Sequence, residues 1–441
     1  MDRLIVKYNK PENTIFISSY PEKNVRYSQK VCAVGGFTKN TIESLQKLDA
    51  SKKYIVVTVK IDTKSEVYEE NNTLILRILD RNNPLSYIPT LKVLLSFTKI
   101  RSVVTEFEFG SFGGIQNASL FLIIPFVLRC IGKKQIFVLH QVIENLNELV
   151  GHLGWKKNDM RKIIFNPLLK GFYFCIHLLS NKIIVTEEVF KNRLQNIVGT
   201  SSKITTIPHG VDTRIPLINK ETARQFLRLP LNKKIILYFG YLSWYKGADL
   251  FFKFAKKMAN TDIQFIMAGG PSFTNVEKSH YKKYMDGFKK PSKNIHISGF
   301  VPEEKIPFYF SAADLVVLPY RTMMSSSGPL SLAFSFEKPL IMSDKMKDYV
   351  ITSDFSSIQK KLLLKSSDLF FSLSEKGFKE KVLNYKSQLL HTCSSRMKEK
   401  RGYENVAKEY YELLNALLIN TNKVDTMNDY ALRFKLGITK R

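Results

Sequence analysis

Short, uninterrupted apolar runs rich in β-branched residues recur along this chain, and longer segments with helical periodicity separate them. A run that is apolar on both faces needs cover on both sides, which a parallel sheet wrapped by helices provides. The runs fall into two series. TIFIS (14–18), YIVVTV (54–59), SVVTEF (102–107), QIFVLH (135–140), KIIVT (182–186) and KITTIP (203–208) make up the first. KIILYFG (234–240), IQFIMAGG (263–270), NIHISG (294–299), ADLVVLP (313–319) and PLIMSD (339–344) make up the second. Between them, residues 210–234 hold two prolines, scattered charge and no strand pattern. At 441 residues the chain is too long for one core. The expected fold class is therefore α/β, with two doubly wound Rossmann-like domains facing a cleft. The expected limits are 1–212 for the first domain, 213–230 for a linker, 231–400 for the second domain, and 401–441 for a C-terminal helix and basic tail that pack back on the first.

Charge narrows the partners. The 67 Lys and Arg against 39 Asp and Glu give a formal net charge of +28. An excess of that size calls for an acidic partner: nucleic acid, an anionic membrane or a phosphorylated substrate. The cations are spread along the chain, with no basic–aromatic RNA-binding module and no helix-turn-helix, so nucleic acid is not the expected partner. Cys32, Cys130, Cys175 and Cys393 stand far apart, which indicates neither a zinc site nor a disulfide framework and fits a reducing compartment. The first residues lack the apolar region of a signal peptide. The greasiest stretch, ASLFLIIPFVLRCIG, contains Pro and Arg and is shorter than the roughly 20 residues of a spanning helix. No transmembrane helix is expected, and a cytoplasmic location is. In residues 154–179, Lys156, Lys157, Arg161, Lys162 and Lys170 interleave with Trp155, Phe165, Phe172 and Phe174. That pattern suits the surface of an anionic bilayer, and equally a buried helix with a solvated basic edge.

Open α/β sheets bind ligands beyond the carboxyl ends of their strands, so residues there are the candidates. Gly35 and Gly36 precede a helix whose expected cap is Thr38 or Asn40; they mark either a close approach to a ligand or a plain strand-to-helix turn. Glu106 and Glu108 share one face of a strand end, ahead of Gly110, Gly113 and Gly114. His140 ends the fourth run, and IPHGVD places His209 and Asp212 where the chain leaves the first domain. In the second series Gly240 ends a strand, Lys246 lies in the loop before an apolar helix, and Gly269 lies in another glycine loop. A lysine beside a helix start suits a phosphate. The polar loop Ser325–Gly328 opens directly onto an apolar helical run, another place where unpaired amides bind anions. His152, His177, His280, His296 and His391 have no partners at useful spacing and are expected to be structural or on the surface. There is no GxxxxGK[ST] loop, no GxSxG elbow and no metal-ligand spacing.

YFGYLSWYKG, MAGG, GFVPEEKIPFYFSAADLVVLPY and SSSGPLSLAFSFEKPLIMSD together resemble the second domain of the GT-B glycosyltransferases of family 4. TEFEFGSFGG, IFVLHQV, IIVTEEVF and IPHGVD occur in that family's order in the first half, so the resemblance spans roughly residues 14–345. It implies a retaining transferase that moves a sugar from a nucleotide diphosphate donor to a glycan or lipid-linked acceptor, with no cofactor and no bound metal. It implies His140 and Lys246 as catalytic residues. Gly240, Tyr241, Lys246, Gly269, Arg321, Ser326, Ser327 and Gly328 would bind the donor, the 326–328 turn through its amides. Gly35, Gly36, Glu106, Glu108, His209 and Asp212 would line the acceptor side or the cleft. The chain departs from the family pattern at two usual glutamates, here Met324 and Leu332, and at a usual arginine, here Tyr241, for which Arg321 is a candidate replacement. An epimerase or phosphorylase on the same architecture, a catalytically impaired relative, and a basic nucleic-acid-binding protein are the alternatives.

Overall fold

The computed structural model describes residues 2–418 except 114, 273, 274, 276 and 277. The basic tail expected after residue 418 lies outside the described residues. Two sheets organise the chain. The first has eight strands: β1 (Thr14–Ile17), β2 (Tyr54–Val59), β3 (Glu66–Glu70), β4 (Thr73–Leu79), β5 (Ser102–Phe107), β6 (Lys134–Leu139), β7 (Lys182–Val185) and β8 (Ile204–Thr206). Their order is β3-β4-β2-β1-β5-β6-β7-β8, parallel throughout except for β3 against β4. The second contains β9 (Lys234–Phe239), β10 (Ile263–Ala268), β11 (Ile295–Gly299), β12 (Leu315–Leu318), β13 (Leu340–Ser343) and β14 (Phe370–Phe371), in the order β11-β10-β9-β12-β13-β14. That is the doubly wound 3-2-1-4-5-6 arrangement, whose strand order reverses between β9 and β12. In the first sheet the reversal falls between β1 and β5.

Three strands escape the periodicity argument. β3 and β4 form an antiparallel hairpin turned by Asn71 and Asn72, both in the left-handed region at φ 45° and 59°. β3 is a solvated edge strand, three of whose five residues are glutamates, so it lacks the apolar signature of its neighbours. β14 has only two residues, too few for any pattern. Segment 213–230, read as a linker, contains the helix Lys220–Phe226, capped by Asn219 and stacked through Phe226 on Phe308 of the second domain, ring centroids 3.9 Å apart.

Residues 403–418 are helical and return to the first sheet, where Tyr403, Val406, Ala407, Tyr410 and Leu414 join a core with Phe16, Phe37 and Val138. Val211 bridges to Gly402 at the crossing. Arg401, fully buried, ties the halves: it donates to Glu187 beyond β7, at 3.0 and 3.2 Å, and to Asp354 of the second domain. Losing that arginine would leave carboxylates buried without a partner, a change that costs about 3–5 kcal/mol.

One described helix, Arg161–Leu179, is long and apolar enough to cross a membrane by length and composition alone. It carries Pro167 and turns Phe172, Tyr173 and Ile176 into the core of the first domain. Phe172 is thus a core residue rather than part of an exposed aromatic set.

Candidate active site

Both strand-order reversals open onto one cleft with a cavity of about 240 Å³ between the domains. On the second-domain wall the strand exits present backbone. After β9 the chain turns at Gly240, where φ is +116°, a conformation that side chains rarely adopt. Gly269 follows β10, and a Cβ there would meet the Gly240 carbonyl oxygen at 1.9 Å, so the two strand exits pack without side chains. Lys246 reaches back toward Gly240 and lines the cleft. It is 8% exposed, and burial lowers its ammonium to about 8, with the Glu108 carboxylate acting in the opposite direction. Ser327 caps the helix Gly328–Ser335, its hydroxyl accepting from the Leu330 amide at 3.2 Å while bonded to the Tyr320 hydroxyl at 2.8 Å.

That loop differs from the expected amide cradle. The Ser326 amide donates to the His140 carbonyl across the cleft at 2.8 Å, and its hydroxyl bonds Thr186. Pro329 has no amide hydrogen, and the Leu330 amide is capped. The amides of Ser325, Ser327 and Gly328 have no hydrogen-bond partner among the described residues. Gly328 lines the cleft with open space where a Cβ would stand. Ser327 points away as the cap. Tyr241 lines the cleft, whereas Arg321 does not: its guanidinium is held by Asp249 at 2.6 and 2.7 Å and by the Trp244 carbonyl at 2.7 Å. An arginine forked onto a carboxylate has little left for a donor, so Arg321 is not the replacement charge.

The first-domain wall is built from side chains. His140, 2% exposed at the end of β6, accepts or donates at Nε2 to Glu106 Oε2, 2.7 Å away. Burial lifts the Glu106 carboxyl well above its usual range and lowers His140 to about 4. Glu106 Oε1 has no hydrogen-bond partner, and an ion in that position would be costly. The pair is therefore neutral, the carboxyl O–H donating to Nε2 and the ring's own hydrogen lying on Nδ1. Glu106 thus lies beneath His140 rather than in the cleft. Glu108, two residues on along the same face, does line it and accepts from the Cys32 thiol at 3.1 Å. His209 lines the cleft against Phe37, ring centroids 5.1 Å apart, and burial lowers it to about 3. Asp212 is 2% exposed and sits behind the wall, held by Arg214 at 2.9 Å and Arg26 at 3.6 Å.

Gly35 and Gly36 lie inside the first turn of the helix Val34–Leu48, which begins four residues before Thr38, so neither Thr38 nor Asn40 caps it. Gly35 packs on Pro21 and Val31; Gly36 lines the cleft, where a Cβ would come within 2.9 Å of the Arg26 carbonyl. The loop before this helix crosses the cleft and is clasped by the second domain, because Glu303 accepts from the Arg26 and Tyr27 amides at 2.6 and 3.1 Å. The sequence reading missed Arg26, Tyr27, Cys32, His152, Tyr245 and Tyr403 as cleft residues. His152, expected to be structural, packs edge-on to Tyr245 at 5.1 Å across the domains. Nothing in its local sequence marks it, since the contact is interdomain. Among the described residues no group of three or more His, Cys, Asp or Glu side chains could hold a metal ion.

The family model for glycosyl transferases group 1 matches residues 219–350. Alpha-galactosylglucosyldiacylglycerol synthase of Streptococcus pneumoniae is 29% identical over 183 residues, 40% of this chain and 47% of that protein. The chain thus matches less than half the length of its curated relatives. Sucrose-phosphate synthase of Thermosynechococcus elongatus superposes with a TM-score of 0.66 at 14% identity, covering 93% of this chain and 100% of that one. Anabaena HepE in complex with UDP-glucose superposes at 0.60 and 13% identity, over 92% and 99% of the two chains. Its two-domain architecture identifies the chain as a GT-B-fold protein, and the family match is confined to residues 219–350.

Proposed function

We propose that the protein is a retaining glycosyltransferase that takes a sugar from a nucleoside diphosphate donor and passes it to a glycan or lipid-linked hydroxyl. One observation carries this: at the strand-order reversal of the second sheet, Lys246, the glycine turn at Gly240 and Gly328 at a helix N-terminus converge on the cleft. Departure of a nucleoside diphosphate leaves negative charge on its oxygen. An ammonium and a helix N-terminus aimed there stabilise the transition state more than the ground state. These groups supply the positive charge that a divalent ion would otherwise bring, so the reaction needs no bound metal and no cofactor. Screening UDP-glucose, UDP-galactose and GDP-mannose for binding and slow hydrolysis, with and without EDTA, tests the reading. Turnover that survives EDTA is expected. Activity lost to EDTA and restored by magnesium or manganese would overturn the metal-free mechanism.

The acceptor side of the reading is peripheral attachment to the inner face of a cytoplasmic membrane. Helices Tyr87–Ser96, Ile123–Cys130 and Arg161–Leu179 pack side by side on the first domain. They leave Ile88, Ile123, Phe126, Ile163, Ile164 and Leu168 more than half exposed. Lys156, Lys157, Arg161 and Lys170 are exposed beside them. Apolar side chains rimmed by cations fit an anionic bilayer, and the buried stripe of Arg161–Leu179 favours lying on the membrane over crossing it. The protein should sediment with anionic vesicles and be released by salt, which screens surface charge. Equal binding to neutral vesicles, or none to either, would overturn the attachment.

A further inference from the structure

We infer that Glu108 holds hydroxyls of the transferred sugar, supplying from the first domain the carboxylate that the second domain lacks. The inference rests on the nucleotide-sugar reading above and assigns a specificity-determining residue within that site.

A sugar ring presents several hydroxyl donors, and a buried donor without an acceptor is costly. Glu108 is the one carboxylate among the described residues lining the cleft. Met324 and Leu332, on the opposite wall, also line it, and neither offers a strong acceptor. Glu108 follows β5 directly, in extended backbone at φ −141° and ψ 138°, at the strand-order reversal of the first sheet. Extended backbone puts its side chain on the same face as Glu106, so it stands beside His140, which Glu106 holds from beneath. It faces Lys246 across the cleft without forming an ion pair, although its charge is felt at both His140 and Lys246.

The one hydrogen bond that its carboxylate accepts among the described residues comes from the Cys32 thiol, a weak donor. A carboxylate has about four lone-pair sites, so most of its accepting capacity faces the cleft unused. Hydrogen bonds to an ionised acceptor are about twice as strong as neutral ones. A residue with free charge-assisted capacity, between the group that meets the diphosphate and the neutral His140–Glu106 pair, is placed to grip the ring that lies between them.

A purely electrostatic role, in which Glu108 only tunes Lys246, predicts a different result. Calorimetric titration of wild type, Glu108→Gln and Glu108→Ala with UDP, GDP, UDP-glucose, UDP-galactose and GDP-mannose separates the two. Glu108→Ala should not weaken UDP or GDP binding and should reduce the extra affinity conferred by the sugar by about ten- to a hundredfold, the range for a hydrogen bond to a charged group. Glu108→Gln, which still accepts from a hydroxyl, should lose less. Unchanged melting temperatures would confirm that both variants fold. The inference is overturned if Glu108→Ala weakens nucleoside diphosphate and sugar nucleotide equally, if it weakens neither, or if no sugar nucleotide binds wild type more tightly than its nucleoside diphosphate. Failure of wild type to bind either UDP or GDP is a separate result: it removes the donor site itself and this inference with it.

Discussion

The two walls of the cleft are made of different materials. Around the strand exits the second-domain wall is backbone and one ammonium, from the glycine turns after β9 and β10 and a capped helix start, with Tyr241, Tyr245, Met324 and Leu332 beside them. The first-domain wall is side chain: a buried neutral His140–Glu106 pair, a partly buried carboxylate at Glu108, and His209 packed on Phe37. Backbone amides and a lysine suit a group common to every donor, the diphosphate, because they recognise charge rather than stereochemistry. Hydrogen-bonding side chains held in fixed tautomers suit groups that differ between substrates, the hydroxyls of sugar and acceptor. On the proposed function, the contrast gives nucleotide binding to one wall and discrimination to the other.

The severest way to break this comparison is Gly328→Val. Open space lies at its Cβ position, so the fold should survive, while a branched side chain would fill the approach to the free amides. Loss of measurable UDP and GDP binding with an unchanged melting temperature is expected; retained binding would mean that this wall does not hold the donor.

Lys246→Ala should cost on the order of ten- to a hundredfold in kcat/KM, the value of a hydrogen bond to a charged group, mostly in kcat if the ammonium acts as the leaving group departs. The sign of the pH effect follows from the lysine. Below about 8 the free protein carries the ammonium, and above it the charge is lost, so kcat/KM should fall as pH rises through about 8. Lys246→Arg should lack that fall, since an arginine stays charged. His140 titrates near 4 and should add no limb between pH 5 and 7; a limb there would break the neutral pair.

The mildest test sharpens the other wall. His140→Ala should lower kcat while leaving UDP and GDP affinity in place. Glu106→Gln, whose amide can still donate to Nε2, should remain within about threefold of wild type, because the hydrogen bond is kept rather than lost. Steady-state kinetics alongside calorimetry would read both, and equal loss of nucleotide binding in His140→Ala would erase the division of labour.

How much of this was legible in the sequence follows the same division. The strand-end glycines, Lys246 and the loop at Ser325–Gly328 announce themselves locally, because a positive φ such as that of Gly240 favours glycine and a polar turn at a helix start lies within a few consecutive residues. The first wall was legible only in part. His140 and Glu108 were found as strand-end residues, but the alternation that put Glu106 on their face could not say that it lies beneath the histidine. Arg321 looked available in the sequence and is spent on Asp249, 72 residues away. His152, Tyr245 and Tyr403 reach the cleft only through contacts between domains or with the returning C-terminal helix.

By itself, then, the sequence determined the two parallel-sheet domains, through apolar runs that need cover on both faces, and the backbone half of the site, through residues whose conformation is set by their immediate neighbours. Tertiary structure alone decided which polar side chains face the cleft and which are consumed in holding others. Burial, pairing and proton position depend on atoms brought together from distant parts of the chain, and no local pattern encodes those distances.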